Sequence, residues 1–406
     1  MGGRLAGDGQ VRSGLEVLLD GDLRHLRGRR VGLCCNHTAV NRSLDHALPL
    51  LSGAGVDIVR LFGPEHGVEA TAQDMISVVD GDQGQAPTAG LPAVVSLYGD
   101  SAESLRPKPE LLADLDVLLF DIQDIGSRYY TYQATLGLIM EVAAQTGTQV
   151  VVLDRPNPID GVTLEGNIVN KGFESFVSQY PLPVRHGMTM GELGRYFRDS
   201  LGIAAPLEVV PCQGWRRDQW FDQTGLPWVF PSPNMPTLET AAIYPGMCLI
   251  EGTNLSEGRG TTRPFHLVGA PFLDRARFVS LLRAGAADNG LQGVAFREAT
   301  FEPRFQKFAG QVCHGAELFV TDRAAMEPLL LGLVVLEAAL RCAPADFRWR
   351  TETYEFVDDP IAIDLLLGSA EGRLGLEARV SPRALIDGWA AESADFAERR
   401  APSLLY

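Results

Sequence analysis

Short, continuous apolar runs alternate with polar turns and with segments of helical periodicity over the first part of the chain. Val, Ile and Leu dominate the runs, in which apolar residues mostly follow one another instead of alternating with polar ones. Strands of this kind are typical of a parallel sheet that helices cover on both faces. The pattern predicts a doubly wound α/β fold, with strands at residues 30–36, 56–62, 94–97, 116–121, 149–154 and 207–211.

Segments with apolar residues three and four positions apart lie between and after these runs, and this spacing indicates helices. Ser13 is a suitable N-cap for the first helix, at 13–26, and Thr189 with Glu192 forms a capping box for a helix at 190–201. Further helices are expected at residues 44–54, 108–115, 132–146, 274–286 and 325–341.

The pattern changes after Pro271, where two expected strands, 293–304 and 317–321, lie among helices. We therefore expect a disordered lead at 1–12, a larger α/β domain at 13–269 and a smaller C-terminal α+β domain at 270–406. Four stretches do not follow the alternation of strand and helix. We expect a mobile loop at 70–93, a rigid loop at 244–246, a strand at 247–251 and a tail with few chemically reactive residues at 347–406.

Charge and composition narrow the classes of partner. The net charge is −16, from 51 acidic and 35 basic residues, so we expect no nucleic acid partner. The segment 1–10 lacks the apolar core of a signal peptide, and the most apolar later run, 328–340, is too short to cross a bilayer. The expectation is a cytoplasmic protein without membrane insertion, present as a monomer or a weak homodimer.

Polar residues follow the expected strands at five places. Because the carboxyl ends of parallel strands share one edge of a sheet, these groups are expected to converge on one crevice. The five places are Asn36 with His37, Glu65 with His66, the segment 121–128 containing Asp121, Asp124 and Arg128, Asp154 with Arg155, and the segment 251–263 containing Glu251, Asn254, Arg259 and Arg263.

Glu65 has two interpretations. Its carboxylate could cap the next segment, or it could act as a general acid whose pKa is raised by the apolar Leu61 and Phe62 beside it. The histidines His37 and His66 show no metal-ligand spacing, so hydrogen-bonding roles are expected and no metal. The chain also lacks a P-loop, a G-x-G-x-x-G turn after a strand and a G-x-S-x-G elbow, so no cofactor is expected.

The arginines and tyrosines near the strand ends each have a structural and a substrate-binding interpretation. Arg128 could neutralise Asp121 and Asp124 in a salt-bridged turn, or it could bind a substrate carboxylate. Tyr130 could offer a flat surface to a sugar, or simply pack in the core. Arg259 lies in a Gly-rich polar loop that is similar to an anion-binding nest.

Several long strings together resemble the NamZ-type exo-β-N-acetylmuramidase family, formerly catalogued as a domain of unknown function. The likeness extends from about residue 13 to residue 406. The strings lie at residues 32–38 (Gly-Leu-Cys-Cys-Asn-His-Thr), 62–67 (Phe-Gly-Pro-Glu-His-Gly), 120–132, 153–158 (Leu-Asp-Arg-Pro-Asn-Pro), 185–189 (Arg-His-Gly-Met-Thr), 232–236 (Ser-Pro-Asn-Met-Pro), 244–246, 251–262 and 356–361 (Phe-Val-Asp-Asp-Pro-Ile).

The resemblance implies a Rossmann-like domain, a smaller C-terminal domain that closes a cleft, and release of N-acetylmuramic acid from the non-reducing end of peptidoglycan fragments. It implies that Glu65 is the catalytic acid, and that many relatives are secreted. Candidates for a second carboxylate are Asp121, Asp124 and Glu251, since glycosidases usually use two. There are two alternatives: a non-catalytic muropeptide-binding protein, and an amidase or esterase on the same scaffold. The expected substrate-binding residues are Asn36, His37, His66, Asp124, Arg128, Tyr130, Asn234, Asn254, Arg259 and Arg263.

Overall fold

A computed structural model describes residues 10–69, residue 72 and residues 92–406 of the chain. Six strands form one parallel sheet in its first part. They are β1 (Val31–Cys35), β2 (Ile58–Gly63), β3 (Ala93–Ser96), β4 (Val117–Asp121), β5 (Gln149–Leu153) and β6 (Leu207–Val210). The order β3-β2-β1-β4-β5-β6 is that of the Rossmann fold, and the chain reverses direction across the sheet between β1 and β4. The predicted doubly wound α/β fold is confirmed.

Helices cover both faces of this sheet. Side chains alternate along each strand, so Cys34 of β1 faces one core and Cys35 faces the other. The helices are α1 (Gly14–Asp20), α2 (Ala47–Gly53), α3 (Pro109–Ala113), α4 (Tyr132–Thr146), α5 (Met190–Asp199), α6 (Leu238–Met247), α7 (Arg275–Asp288), α8 (Pro328–Cys342), α9 (Ala362–Leu367), α10 (Glu371–Glu377), α11 (Pro382–Gly388) and α12 (Ala390–Arg400). Apolar residues of α1 and α2 pack on the Cys35 side, and those of α4 and α5 on the Cys34 side.

The C-terminal part contains a second, antiparallel sheet. Its strands are β7 (Leu267–Ala270), β8 (Val294–Phe301) and β9 (Cys313–Val320), in the order β7-β9-β8. This confirms a smaller α+β part. Strand β7 crosses the predicted boundary at 269/270, because Leu267 to Ala270 pair with β9 of the C-terminal sheet.

Local capping agrees with the sequence pattern. Ser13 and Glu16 form a capping box at α1, and Thr189 and Glu192 form the predicted one at α5. The lead differs from the expectation, because Val11 is buried and Arg12 forms two backbone hydrogen bonds with Gln213. Residues 1–9 of that lead, and most of the predicted mobile loop at 70–93, lie outside the described residues.

The prediction for residues 244–251 is wrong. Tyr-Pro-Gly usually marks a turn, but here it lies inside α6, and a 3₁₀ helix follows at Cys248–Gly252 where a strand was expected. The reason is tertiary. A Cβ on Gly246 would lie 1.7 Å from the carbonyl oxygen of Pro328, so the missing side chain lets α6 meet α8 backbone to backbone.

No helix in the described part of the chain is long and apolar enough to cross a membrane.

Asp154, at the end of β5, is a buried cap for α5. Its Oδ1 accepts the N–H of Gly191 at 2.8 Å, and its Oδ2 accepts the hydroxyls of Thr189 and Tyr406, each at 2.6 Å. Burial raises the pKa of Asp154 to about 6, and these hydrogen bonds only partly offset that effect. The folded state therefore binds a proton more tightly than the unfolded chain does.

The stabilising contribution of protonated Asp154 is expected to be complete below pH ~4 and to be lost as the pH rises through about 6. Relative to Asp154→Asn, which does not titrate, the unfolding free energy of the wild type should fall by about 2 kcal/mol between pH 4 and pH 7. Urea unfolding at several pH values measures this difference. Parallel curves for the two proteins would contradict the assignment.

Candidate active site

The turn after β2 presents Glu65 and His66. The N–H of Gly67 donates to the carbonyl of Pro64 at 2.9 Å and closes the turn. His66 has a φ of 70°, a left-handed conformation that is strained for any residue but glycine, and its Nδ1 lies 2.9 Å from the carbonyl oxygen of Ala72. Strain of this kind is concentrated at functional sites, where the surrounding structure holds it in place.

Glu65 is buried and anchored to the start of α4. The hydroxyl of Thr131, the residue before that helix, donates to Oε2 of Glu65 at 2.6 Å. The turn after β2 and the loop after β4 are thereby joined at the carboxyl edge of the sheet. The alternative in which Glu65 caps the following segment receives no support from this contact.

A pocket with about 440 Å³ of empty space, open solvent included, lies beside Glu65. Both the Rossmann-like part and the C-terminal part contribute to its wall. The lining residues are Glu65, His66, Tyr129, Tyr130, Thr131, Tyr132, Val177, Ser232, Asn234, Met235, Tyr244, Glu251, Arg259, Phe265, Tyr354 and Glu355.

Aromatic rings form one side of the pocket. Tyr130 meets Tyr132 and Tyr244 edge to face, with ring centroids 5.0 and 5.7 Å apart, and Tyr244 meets Phe265 at 4.9 Å. Burial raises the pKa of the hydroxyls of Tyr130, Tyr132 and Tyr244, so they stay protonated at neutral pH. The wall therefore combines apolar ring surfaces with protonated hydroxyl groups.

Asn36 supports this wall from behind. Its Nδ2 donates to the hydroxyl oxygen of Tyr132 at 3.0 Å, and the same hydroxyl donates to the carbonyl of Pro231 at 2.6 Å. That bond holds the loop from which Ser232 and Asn234 reach the pocket. Asn36 is thus placed behind the lining residues, as a positioning residue.

Glu251 and Arg259 form a buried ion pair on the C-terminal side of the pocket. Nη2 of Arg259 lies 2.6 Å from Oε1 of Glu251, and the hydroxyl of Tyr354 donates to Oε2 at 2.7 Å. Burial alone would raise the pKa of Glu251, but the charge of Arg259 and these hydrogen bonds outweigh it and lower the pKa. Glu257 pairs with Arg259 at 3.4 Å and with Lys307 at 3.1 Å, so two cations balance two carboxylates.

The other two predicted carboxylates do not line the pocket. Asp121 is fully buried and accepts two hydrogen bonds from Arg155, at 2.6 and 3.1 Å. Asp124 accepts the N–H of Gly126 at 2.7 Å within its own loop. The ends of β4 and β5 therefore satisfy one another, and the predicted convergence of all five polar strand ends on one crevice is wrong.

Arg128 is also placed differently from both interpretations. Its guanidinium is completely buried and donates to the carbonyls of Asn167, Leu182 and Leu366 at 2.7 to 2.8 Å. Burial lowers its pKa to about 10. Arg128 ties the α/β part to α9, and it reaches neither the carboxylates of its own loop nor the pocket.

Three further predicted residues lie away from the pocket wall. Asn254 joins two loops through the carbonyl of Asp346 and the N–H of Arg348, each at 2.9 Å. Arg263 pairs with Glu317 at 3.5 Å, and the ring of His37 packs against Phe230 with centroids 5.1 Å apart. Of the predicted site residues, the pocket brings together Glu65, His66, Tyr130, Asn234, Glu251 and Arg259.

Several lining residues were not predicted from the sequence. Thr131, Ser232 and Tyr244 lie within the strings that carry the family resemblance, so that resemblance could have indicated them. Tyr354 and Glu355 lie in the tail that was expected to hold little chemistry, directly before the last of those strings. The tail instead supplies a hydroxyl and a carboxylate to the pocket.

Within the described ranges, no group of three or more His, Cys, Asp or Glu side chains is arranged to hold a metal ion.

Two family profiles and a similar sequence all assign the chain to the same family. A profile described as the N-terminal part of the exo-beta-N-acetylmuramidase NamZ matches residues 31–239, and one for its C-terminal part matches residues 242–406. The division falls before α6 is complete, earlier than the predicted domain boundary. A peptidoglycan beta-N-acetylmuramidase NamZ of Bacillus subtilis (strain 168) is 41% identical over 401 residues, which cover 98% of this chain and 92% of the relative.

Two crystal structures of DUF1343 family proteins from Bacteroides fragilis NCTC 9343 have the same fold. The first has a TM-score of 0.84 and 32% identity, covering 98% of this chain and 99% of the other. The second has a TM-score of 0.74 and 25% identity, with the same coverage. The two-part architecture described above is therefore shared along the whole length of these proteins.

Proposed function

Because the chain belongs to the NamZ exo-β-N-acetylmuramidase family, we propose that it is a glycosidase acting on peptidoglycan fragments. In this proposal it releases N-acetylmuramic acid from the non-reducing end, with Glu65 as the general acid. The relative in Bacillus subtilis is named a peptidoglycan beta-N-acetylmuramidase.

The observation that supports this role most strongly is the position of Glu65. It is buried at the carboxyl edge of the sheet, held by Thr131, and it lines a pocket whose other wall is aromatic. Glycoside hydrolysis needs a carboxyl group that can protonate the leaving oxygen inside a site of restricted solvent access. A pocket, in contrast to an open groove, also suits removal of one sugar from a chain end.

The assay that tests the activity is release of 4-nitrophenol from 4-nitrophenyl β-N-acetylmuramide. The wild-type protein is expected to turn this glycoside over, and to do so without added metal after treatment with a chelator. Binding of muropeptides without turnover would support the non-catalytic alternative. Cleavage of an amide or ester of the muropeptide, with the glycosidic bond left intact, would support the other hydrolase.

N-acetylmuramic acid differs from N-acetylglucosamine by a lactyl carboxylate, which a cation could recognise. Three arginines, Arg128, Arg259 and Arg263, are among the expected substrate-binding residues, and of these three Arg259 is the one that lines the pocket. We assign recognition of the lactyl group to Arg259, because its planar guanidinium can bind carboxylates with paired hydrogen bonds.

Arg259→Lys keeps the positive charge beside Glu251 but loses the forked geometry. It is expected to raise KM for the muramide glycoside about tenfold, equivalent to about 1.4 kcal/mol. KM for the matching N-acetylglucosaminide should change much less. Arg263→Lys is the matched control and should leave both values near those of the wild type. An equal loss on both glycosides would contradict this role for Arg259.

A further inference from the structure

A two-residue turn at the edge of the pocket has a backbone conformation that its two central residues do not favour. Tyr354 and Val357 exchange both backbone hydrogen bonds, at 2.9 and 3.0 Å, and the residues between them are Glu355 and Phe356. Both have positive φ, 47° and 65°. Two central residues with positive φ define a type I′ turn, which strongly prefers Asn-Gly.

This turn therefore stores strain that Asn-Gly would avoid, since a side chain beyond Cβ is disfavoured at positive φ. The surrounding packing holds it in place. The ring of Phe356 packs against Tyr98 with centroids 5.8 Å apart, and the hydroxyl of Tyr98 donates to Oε2 of Glu355 at 3.1 Å. The functional consequence of the strained shape is the placement of Glu355.

The turn delivers two groups to the pocket. The hydroxyl of Tyr354 bonds to Glu251, and the carboxylate of Glu355 lines the pocket with only 4% of the residue exposed. A buried carboxylate on a strained turn is a costly arrangement, and strain of this kind is concentrated at functional sites.

Two other carboxylates considered as partners of Glu65 are each bound to an arginine. Asp121 is bound by Arg155 away from the pocket, and Glu251 is paired with Arg259. Glu355 accepts a hydrogen bond from the hydroxyl of Tyr98, which fixes the direction of its carboxylate. Glu355 also comes from the C-terminal part, whereas Glu65 comes from the sheet edge, so the two carboxyl groups enter the pocket from separate elements.

We propose that Glu355 is the second carboxylate of the reaction, acting with Glu65 on the bound sugar. This inference rests on the glycosidase function proposed above and adds a residue to it. Glu65 gives its proton to the glycosidic oxygen while the bond from that oxygen to the anomeric carbon breaks, and the electron pair leaves with the oxygen. The positive charge that develops on the sugar ring is stabilised by ionised Glu355. Water then forms the new bond to the anomeric carbon, and the proton that it releases restores Glu65.

The first test is Glu355→Gln, which keeps the size of the side chain and removes the charge. It is expected to lower kcat on 4-nitrophenyl β-N-acetylmuramide by about 10³-fold, with KM changed by less than about threefold and the unfolding midpoint close to that of the wild type. Glu352→Gln, an exposed glutamate just before the same turn, is the matched control and should retain full activity.

The second test separates catalysis from folding. The variant Glu355→Asn places a residue that tolerates positive φ in the turn and keeps the ring of Phe356 on Tyr98, so its unfolding midpoint should stay close to that of the wild type while kcat falls as in Glu355→Gln. Added azide should partly restore the turnover of Glu355→Ala, a rescue that a purely structural role would not produce.

The outcomes separate the two proposals. If the wild type turns over the glycoside and Glu355→Gln keeps kcat within tenfold of it, the role of Glu355 is overturned and the glycosidase function stands. If the wild type is inert on the glycoside and on muropeptides, the proposed function fails and the role of Glu355 fails with it.

Discussion

Glu65→Gln is expected to lower kcat for the muramide glycoside by about 10³-fold, within the range of ~10²–10⁴ that general acid catalysis supplies. The amide keeps the shape of the side chain and can still accept the hydroxyl of Thr131, so the pocket should stay intact. What is lost is the proton for the leaving oxygen. KM should change little, because the substrate contacts made by the other lining residues remain.

The measurement is steady-state kinetics on 4-nitrophenyl β-N-acetylmuramide, with thermal unfolding as a check of folding. Glu69→Gln is the matched control, since Glu69 is exposed and lies on the same turn. It should retain wild-type kcat. Thr131→Val should give an intermediate loss, because it removes the hydrogen bond that orients Glu65 but leaves the carboxyl group. A Glu65→Gln variant as active as the wild type would remove Glu65 from the mechanism.

Gly246→Ala is expected to destabilise the protein by about 4 kcal/mol or more, or to prevent folding, because the added carbon collides with backbone. The Cβ would lie 1.7 Å from the carbonyl oxygen of Pro328 and 2.8 Å from the N–H nitrogen of Gly332. Neither atom is the end of a flexible side chain, so α6 and α8 would have to separate. Their separation would also disturb Tyr244 and Glu251, which flank the contact in sequence and line the pocket.

Chemical denaturation measures this effect, with Gly53→Ala as the control. Gly53 ends α2, and a Cβ there would meet no atom within 4 Å. That change should be neutral or stabilising by up to about 1 kcal/mol, as helix propensity predicts. A loss below about 1 kcal/mol for Gly246→Ala would contradict the close contact between the two helices.

The sheet was predictable because its signal is local and repeated. Each buried strand is a run of mostly apolar residues. Helix α4 occupies the predicted residues 132–146 because apolar residues fill most of it and Gly147 ends it in a left-handed conformation. The helix α6 was not predictable, because the factor that keeps Tyr-Pro-Gly helical is a neighbour about 80 residues away in the sequence. At this position, packing against α8 overrides the local preference of Tyr-Pro-Gly for a turn.

The site was predictable only in part, for a related reason. A polar strand end indicates that groups meet at the sheet edge, but it does not say which of them satisfy one another. Asp121 accepts hydrogen bonds from Arg155, and the guanidinium of Arg128 donates hydrogen bonds to three backbone carbonyl oxygens. Glu65 and Glu251 were found because both lie beside glycine-rich turns that leave space for a ligand.

Glu355 illustrates what the sequence conceals. Nothing in Tyr-Glu-Phe-Val suggests a type I′ turn, because neither central residue favours positive φ. The mismatch between residue type and backbone conformation becomes visible only when the dihedral angles are known.

The proposal that the chain removes N-acetylmuramic acid from the non-reducing end with Glu65 as the acid is tested most directly on glycan chains. These chains alternate N-acetylmuramic acid and N-acetylglucosamine and are labelled at the reducing end. Products of the wild type and of Glu65→Gln are followed by mass spectrometry. The wild type is expected to release one free N-acetylmuramic acid from chains with that sugar at the non-reducing end and to leave chains with N-acetylglucosamine at that end intact. Glu65→Gln should release none at a comparable rate. Release of disaccharides by internal cleavage, or equal rates for the two proteins, would contradict the proposal.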